Sequence, residues 1–289
     1  MNLEGKVAQW VDLGITDYEK TENLQRVLSK KREFDRIGDL ILVTEHFPTI
    51  SFGRADYHNK FSKEIIEKVG SKDEKNIISY LNKMGIGFRR STRGGGSTYI
   101  GPGQLVFYPI VKYEEIVNRQ FGVGNYESLI DQTMMSSLKK IGINAKIFKV
   151  VEKIGESKDI DIEKAREEIK QRKDRKDVWV TEDGKNYKVG GKGIKISKGV
   201  AYHGFNFYIT DKGIEGFDYI NPCGYTKEEL GVKSVEGILG KKIDKSRFRD
   251  LILEEIKEKF GYKFIQQVEL DNLARLPVIS KIFTEATAA

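Results

Sequence analysis

Three groups in this 289-residue chain have residue types and spacings that could do chemistry. The first is a lone cysteine, Cys223, held in Asn221-Pro222-Cys223-Gly224-Tyr225. Proline fixes the backbone on entry and glycine frees it on exit, so a tight turn could present the thiol. Such a thiol is a nucleophile where a nearby cation or proton acceptor lowers its pKa, and a small core residue where none does. The second group is Lys188, at the start of an apolar, glycine-rich strand. A lysine there either points into a cleft, where desolvation depresses its pKa, or is a solvated edge residue like most of the 50 lysines and arginines. Lys192 and Lys195 share the strand. A period of two predicts Lys188 and Lys192 on one face and Lys195 on the other. The third group is Arg93 to Leu105, which contains five of the 29 glycines and one of the five prolines. It follows the basic pair Arg89-Arg90 and precedes the apolar run Val106 to Ile110. Glycines between apolar segments let backbone lie directly against a ligand, or simply make a hairpin loop.

Other residues give weaker signals. His203, before Gly204, could orient a site or be a hydrogen-bonded core histidine. Asp218 is a second acid or a turn cap. With three histidines, no His-x-x-x-His spacing and one cysteine, no metal site is predicted and no intramolecular disulfide can form. Neither a phosphate-binding Walker sequence nor a dinucleotide-binding glycine fingerprint occurs.

The length is enough for one large domain or one domain with an appendage. Hydrophobic residues make up 39% and charged residues 32%, and no apolar run approaches the ~20 residues of a membrane helix. The N-terminal residues lack the apolar core of a signal peptide, so the expected location is the cytoplasm. The net charge of +7 suits nucleic acid, an acidic protein partner or a phosphate-bearing substrate.

The elements that must carry these groups read as follows. Val7 to Val11 is a strand. Asp17 caps a helix to about Arg32, with Tyr18, Leu24, Val27 and Leu28 inward. Asp39 to Thr44 is a strand, and a short one ends at Gly53. Residues 62–84 are helical, with an apolar stripe of Ile77, Ile78, Leu81 and Met84. Tyr126 to Leu138 is a helix, and Ile143 to Phe148 and Val178 to Val180 are strands. A turn at Gly184-Lys185-Asn186 joins the last of these to Tyr187 to Ile196. Gly199 to Ile209 alternates as a strand does, and Ser246 caps a helix to Phe260. Interspersed helices and more numerous strands predict an α+β (α/β) fold on a mixed sheet flanked by helices. The charge-laced residues 149–176 read as an exposed insertion.

Taken together, these motifs resemble the lipoyl(octanoyl) transferases of the biotin/lipoate protein ligase superfamily. Arg93 to Leu105 is similar to that family's Arg-Gly-Gly-x-x-Thr-Tyr-His-Gly-Pro-Gly-Gln-Leu. Lys188 to Lys195, followed by His203-Gly204-Phe205-Asn206, is similar to its lysine strand. Asn221 to Gly224 matches its Asn-Pro-Cys-Gly, and Glu45 to Pro48 with Gly53-Arg54 looks like its early Glu-His-Pro-Pro and Gly-Arg pair. Here Gly96 and Ser97 replace Gln-Val, Ile100 replaces a histidine, and Lys192 stands where the family has an aliphatic residue.

The resemblance implies a catalytic domain over residues 1–265, with a tail over 266–289. It implies transfer of an octanoyl group, without a cofactor, from octanoyl-acyl carrier protein to a lysine of lipoyl domains. These belong to 2-oxoacid dehydrogenases and the glycine cleavage H protein. Cys223 would be the nucleophile that becomes a thioester, and Lys188 the proton shuttle. Arg93, Gly94, Gly95, Gly96, Ser97, Thr98, Tyr99, Ile100, Gly191, Lys192, Gly193, Gly204, Phe205 and Asn206 would bind substrate. The basic surface then suits an acidic carrier, and neither nucleic acid nor membrane is an expected partner. One rival is the sister family of ATP-dependent lipoate–protein ligases, which act through an acyl-adenylate. Another is a non-enzymatic nucleic-acid-binding module, which the scattered basic residues favour less.

Overall fold

The computed structural model describes residues 6–55, 60–117, 122–147, 177–222 and 231–269. Residues 149–176, Cys223 and the tail from residue 270 lie outside them.

The described strands are β1 (Val7–Thr16), β2 (Asp39–His46), β3 (Thr49–Phe52), β4 (Gly87–Arg90), β5 (Ser97–Ile100), β6 (Gln104–Lys112), β7 (Lys146–Ile147), β8 (Val178–Glu182), β9 (Lys185–Ser197), β10 (Val200–Tyr208), β11 (Gly231–Val232) and β12 (Phe264–Gln267). The helices are α1 (Tyr18–Glu33), α2 (Lys63–Val69), α3 (Glu74–Lys83), α4 (Tyr113–Ile116), α5 (Gly122–Lys140), α6 (Val235–Leu239) and α7 (Lys245–Phe260), with a 3-10 helix over Asp211–Tyr219. The main sheet runs β12-β1-β2-β6-β10-β9-β8-β7, with β11 added beside the start of β9. It is mixed: β1 is parallel to β2 and β12, whereas β2 through β8 pair antiparallel along the path. A small sheet, β4-β3-β5, stands apart. β12 carries the main sheet past residue 265, pairing Gln267 with Trp10. No described helix is long and apolar enough to cross a membrane.

The apolar periodicity explains the layers. One face of the main sheet buries Ile130, Met134 and Leu138 of α5 with Phe248, Ile252 and Ile256 of α7. On the other face lie Tyr18, Leu24 and Leu28 of α1, packed on Leu42, Val106 and Tyr108. A third cluster joins the small sheet to α2, α3 and the 3-10 helix.

Local chemistry accounts for the differences from expectation. Residues 62–84 form two helices, because Gly70 ends α2 in the left-handed conformation and Asp73 caps α3 by accepting from Lys75 and Asn76. Met84 caps the end of α3 and is exposed, so it leaves the stripe. The β8–β9 turn is Asp183-Gly184, one residue early, since both have positive φ as a twisted two-residue hairpin requires. Asp244, not Ser246, caps α7, its carboxylate accepting from the backbone N–H groups of Ser246 and Arg247.

Candidate active site

The site is built around β9. Val178 pairs with Gly190 but Trp179 pairs with Lys188, so β9 carries one extra residue here, Val189. Such a bulge shifts the alternation of side chains. Val189 packs into the α5-side core, and the open side of Gly190 also faces Met134 of α5. Lys188, Gly191 and Gly193 therefore share the opposite face, where a Cβ on Gly193 would lie 3.1 Å from Arg93 Cδ. Lys192 does not share it: its ammonium bonds Asp131 of α5, and its carbonyl faces Gly95. The expectation that Lys188 and Lys192 point the same way holds only for a regular strand and is corrected here. Lys195 lies over the Tyr202 ring.

Lys188 Nζ bonds Asp177 Oδ2 at 2.9 Å, with both side chains more than nine-tenths buried. Opposite it, the segment from Arg93 to Ser97 forms a cover. Arg93 is a staple within it: Nη2 donates to the Ser51 and Gly96 carbonyls (2.6 and 2.8 Å), and Nη1 to that of Gly94 (3.0 Å). Gly94 N–H bonds the Ile194 carbonyl of β9 at 3.2 Å. A Cβ at Gly53 would sit 2.3 Å from the Gly95 carbonyl oxygen, so this close approach requires glycine.

Between cover and sheet is a cavity of about 60 Å³. One buried water needs roughly 10–15 Å³, so the space is small but has room for a few. Of the expected residues, Arg93, Gly95, Gly96, Ser97, Thr98, Ile100, Lys188, Gly191, Lys192, Gly193, Gly204, Phe205 and Asn206 border it. Gly94 and Tyr99 do not. Gly94 ties the cover to β9, and Tyr99 points into the third core, against Phe217, where burial lifts its phenol to about 12. Asn206 Oδ1 accepts from Gly191 N–H at 2.9 Å, and its amide donates to Gln104.

His203 has φ of +57°, which puts its ring on the same face as that of Tyr202, stacked at 5.0 Å. Its backbone N–H donates to Gln25 Oε1 at 2.8 Å. Burial, with the nearby cations Arg93, Lys195 and Arg54, pushes His203 down to about 3, so it is neutral. Asp218 lies in the 3-10 helix, and its carbonyl accepts from Ser62 Oγ.

Cys223 lies outside the described residues. Its neighbours are placed: the Asn221 carbonyl accepts from cavity-lining Ser97 Oγ at 2.7 Å, and Gly231-Val232 pairs with Tyr187-Lys188.

Sequence reasoning missed several residues. Tyr18, Val106 and Tyr108 border the cavity but read only as core positions. Glu22 accepts from Ser91, Thr92 N–H and Thr92 Oγ1. The spacing Tyr18, Glu22, Gln25, which puts polar groups on the inner face of α1, was the available signal. Asp131 adjoins the buried stripe of α5, whereas nothing distinguishes Asp177 at the end of a charged run.

The fold is that of known lipoate-attaching enzymes. A lipoate–protein ligase A bound with ATP superposes with a TM-score of 0.58 at 15% identity, over 96% of this chain and 95% of its own. The bipartite lipoate protein ligase of Thermoplasma acidophilum gives 0.57 at 14% identity, over 96% and 93%. At such identities the likeness concerns fold alone. Sequence goes further: the chain belongs to the lipoyl protein ligase A/B catalytic domain family, whose model matches residues 17–257. It is 30% identical to the octanoyltransferase of Desulfotalea psychrophila over 87% of this chain and 93% of the relative. The octanoyltransferase of Alkaliphilus metalliredigens is also 30% identical, over 90% and 98%.

Proposed function

We propose that this chain is an octanoyltransferase, an acyltransferase of protein lipoylation that works in the cytoplasm. The donor is octanoyl-acyl carrier protein. The acceptor is a specific lysine of lipoyl domains, those of 2-oxoacid dehydrogenases and the glycine cleavage H protein. The reading rests on relatives of that name and on one structural observation: the bulge at Val189 turns Lys188 onto the wall of a small cavity floored by glycine backbone.

In this reading Cys223 attacks as thiolate and Lys188 is its cationic neighbour. The Cys223 Sγ–carbon bond forms and the donor's carbon–sulfur bond breaks. Lys188 gives a proton to the departing carrier thiolate and becomes a neutral amine. The acceptor lysine then attacks the Cys223 thioester, the amide forms, Cys223 leaves as thiolate, and Lys188 takes the proton released from the amine. Every proton and charge is restored after one cycle. Asp177 Oδ2 accepts from Lys188 Nζ at 2.9 Å and holds the amine in place. The net charge of +7 suits an acidic carrier.

The test mixes the full chain, octanoyl-acyl carrier protein and a lipoyl domain without nucleotide, and weighs the lipoyl domain. A gain of one octanoyl group is expected. Modification only with ATP and free octanoate would establish the ligase reaction instead.

A further inference from the structure

The cavity is bordered by β9 on one side and by the core beneath α1 on the other. Gly191, Lys192 and Gly193 are only half-buried, whereas Tyr18, Val106 and Tyr108 are 4%, 1% and 5% exposed and belong to the core beneath α1. The sheet register fixes how far apart the ends are. Val106, Asn206 and Gly191 form one row across β6, β10 and β9, so Tyr108 is level with Gly193. Tyr108 therefore stands two strands from β9 and five positions beyond Lys188. That is about 10 Å across the strands and, allowing for the bulge, about 13 Å along them. Both residues border one cavity, so it reaches from Lys188 to Tyr108.

The two phenol rings at the far end are fixed. Tyr108 O–H donates to His46 Nε2 at 2.8 Å, while His46 Nδ1 donates to the Thr16 carbonyl at 3.1 Å. Tyr18 O–H donates to Ser91 Oγ at 3.1 Å, and its ring meets His46 edge-on at 5.3 Å. Their hydroxyls are engaged with protein groups, and ring carbon is what an apolar chain would meet.

We propose that Tyr18 and Tyr108 are the end wall of the acyl channel and set the longest acyl chain that the enzyme accepts. The inference rests on the octanoyl-transfer reading. A chain end that just reaches the rings gains their contact, and two further carbons have nowhere to go.

The test compares transfer of hexanoyl, octanoyl, decanoyl and dodecanoyl groups from acyl carrier protein by the wild type, Tyr18→Ala, Tyr108→Leu and Tyr18→Phe, with melting curves for each. Calorimetric binding of the free C6 to C12 acids reads the same limit without catalysis. One or two carbons in an apolar pocket change selectivity by roughly 10–200-fold. Tyr18→Ala is therefore expected to raise the decanoyl-to-octanoyl ratio of kcat/KM by about tenfold or more, and Tyr18→Phe to keep the wild-type ratio. Tyr108→Leu gives the same readout if Tyr18→Ala does not fold. A folded Tyr18→Ala or Tyr108→Leu with the wild-type ratio would overturn the proposal. If the wild type transfers nothing yet binds the acids with a length limit that either variant relaxes, the transfer reading fails and the end wall stands. Binding without any length limit would remove the end wall as well.

Discussion

A Cβ on Gly191 would lie 3.5 Å from Lys188 Cε, although the two residues are three positions apart on one strand. An odd separation puts side chains on opposite faces of a regular strand. The extra residue Val189 cancels that rule and brings the lysine onto the glycine floor of the cavity. One inserted residue thus puts the Lys188 side chain on the candidate site's face.

The same geometry makes Gly191 sensitive. Its missing Cβ would already be 3.2 Å from Asn206 Oδ1 and 3.4 Å from the Tyr208 hydroxyl. Gly191→Val adds two methyls to that space. Overpacking of this kind costs about 1–3 kcal/mol, which a domain of this size survives. Displacing Lys188 by about 1 Å costs transfer on the order of 100-fold. Paired melting and kcat/KM measurements check this, and wild-type kinetics in the variant would refute the placement of Lys188.

Lys188 and Asp177 should separate stability from activity. Removing one partner of a buried pair costs about 3–5 kcal/mol, whereas replacing both with apolar residues is close to neutral. Lys188→Met is expected to lose both stability and transfer. Lys188→Met combined with Asp177→Leu should regain most of the stability but none of the transfer, as read by urea unfolding beside the acyl assay. A double variant that transfers octanoate would remove Lys188 from the chemistry.

Two buried histidines predict an acid limb in stability. Burial lowers His46 to about 4 and His203 to about 3, against about 6.5 in an unfolded chain. Both are neutral in the fold, and as pH falls below about 6.5 the unfolded chain binds protons that the fold refuses. Their contribution is complete above that pH and declines towards the folded values. Asp131, raised by burial despite Lys192, works in the opposite sense. His46→Gln should therefore flatten the fall in urea midpoint between about pH 7 and about pH 4.5 relative to the wild type. An unchanged slope would show that His46 is not held neutral.

Much of this molecule was legible in the sequence because its signals are local. Asp17 caps α1 as its side chain type suggests, and the inward residues of α5 follow a helical period. Two of the motifs that carry the resemblance, Arg93 to Leu105 and Lys188 to Asn206, supply most of the cavity wall. The unread features depend on tertiary context. Val189-Gly190-Gly191 fits a regular strand as well as a bulged one. His203 takes a left-handed backbone because Gln25 and Tyr202 hold it there, which no pattern around residue 203 encodes. Tyr18 and Tyr108 look like ordinary core residues, since only folding brings α1 and β6 to the same end of a cavity.

The central claim is a thioester on Cys223, and the chain's single cysteine makes it directly measurable. Intact masses of the wild type and Cys223→Ala are compared after mixing with octanoyl-acyl carrier protein and no ATP. The account expects one octanoyl group on the wild type alone, discharged when a lipoyl domain is added. Absence of that adduct, with both proteins modifying the lipoyl domain only when given ATP and free acid, would contradict it.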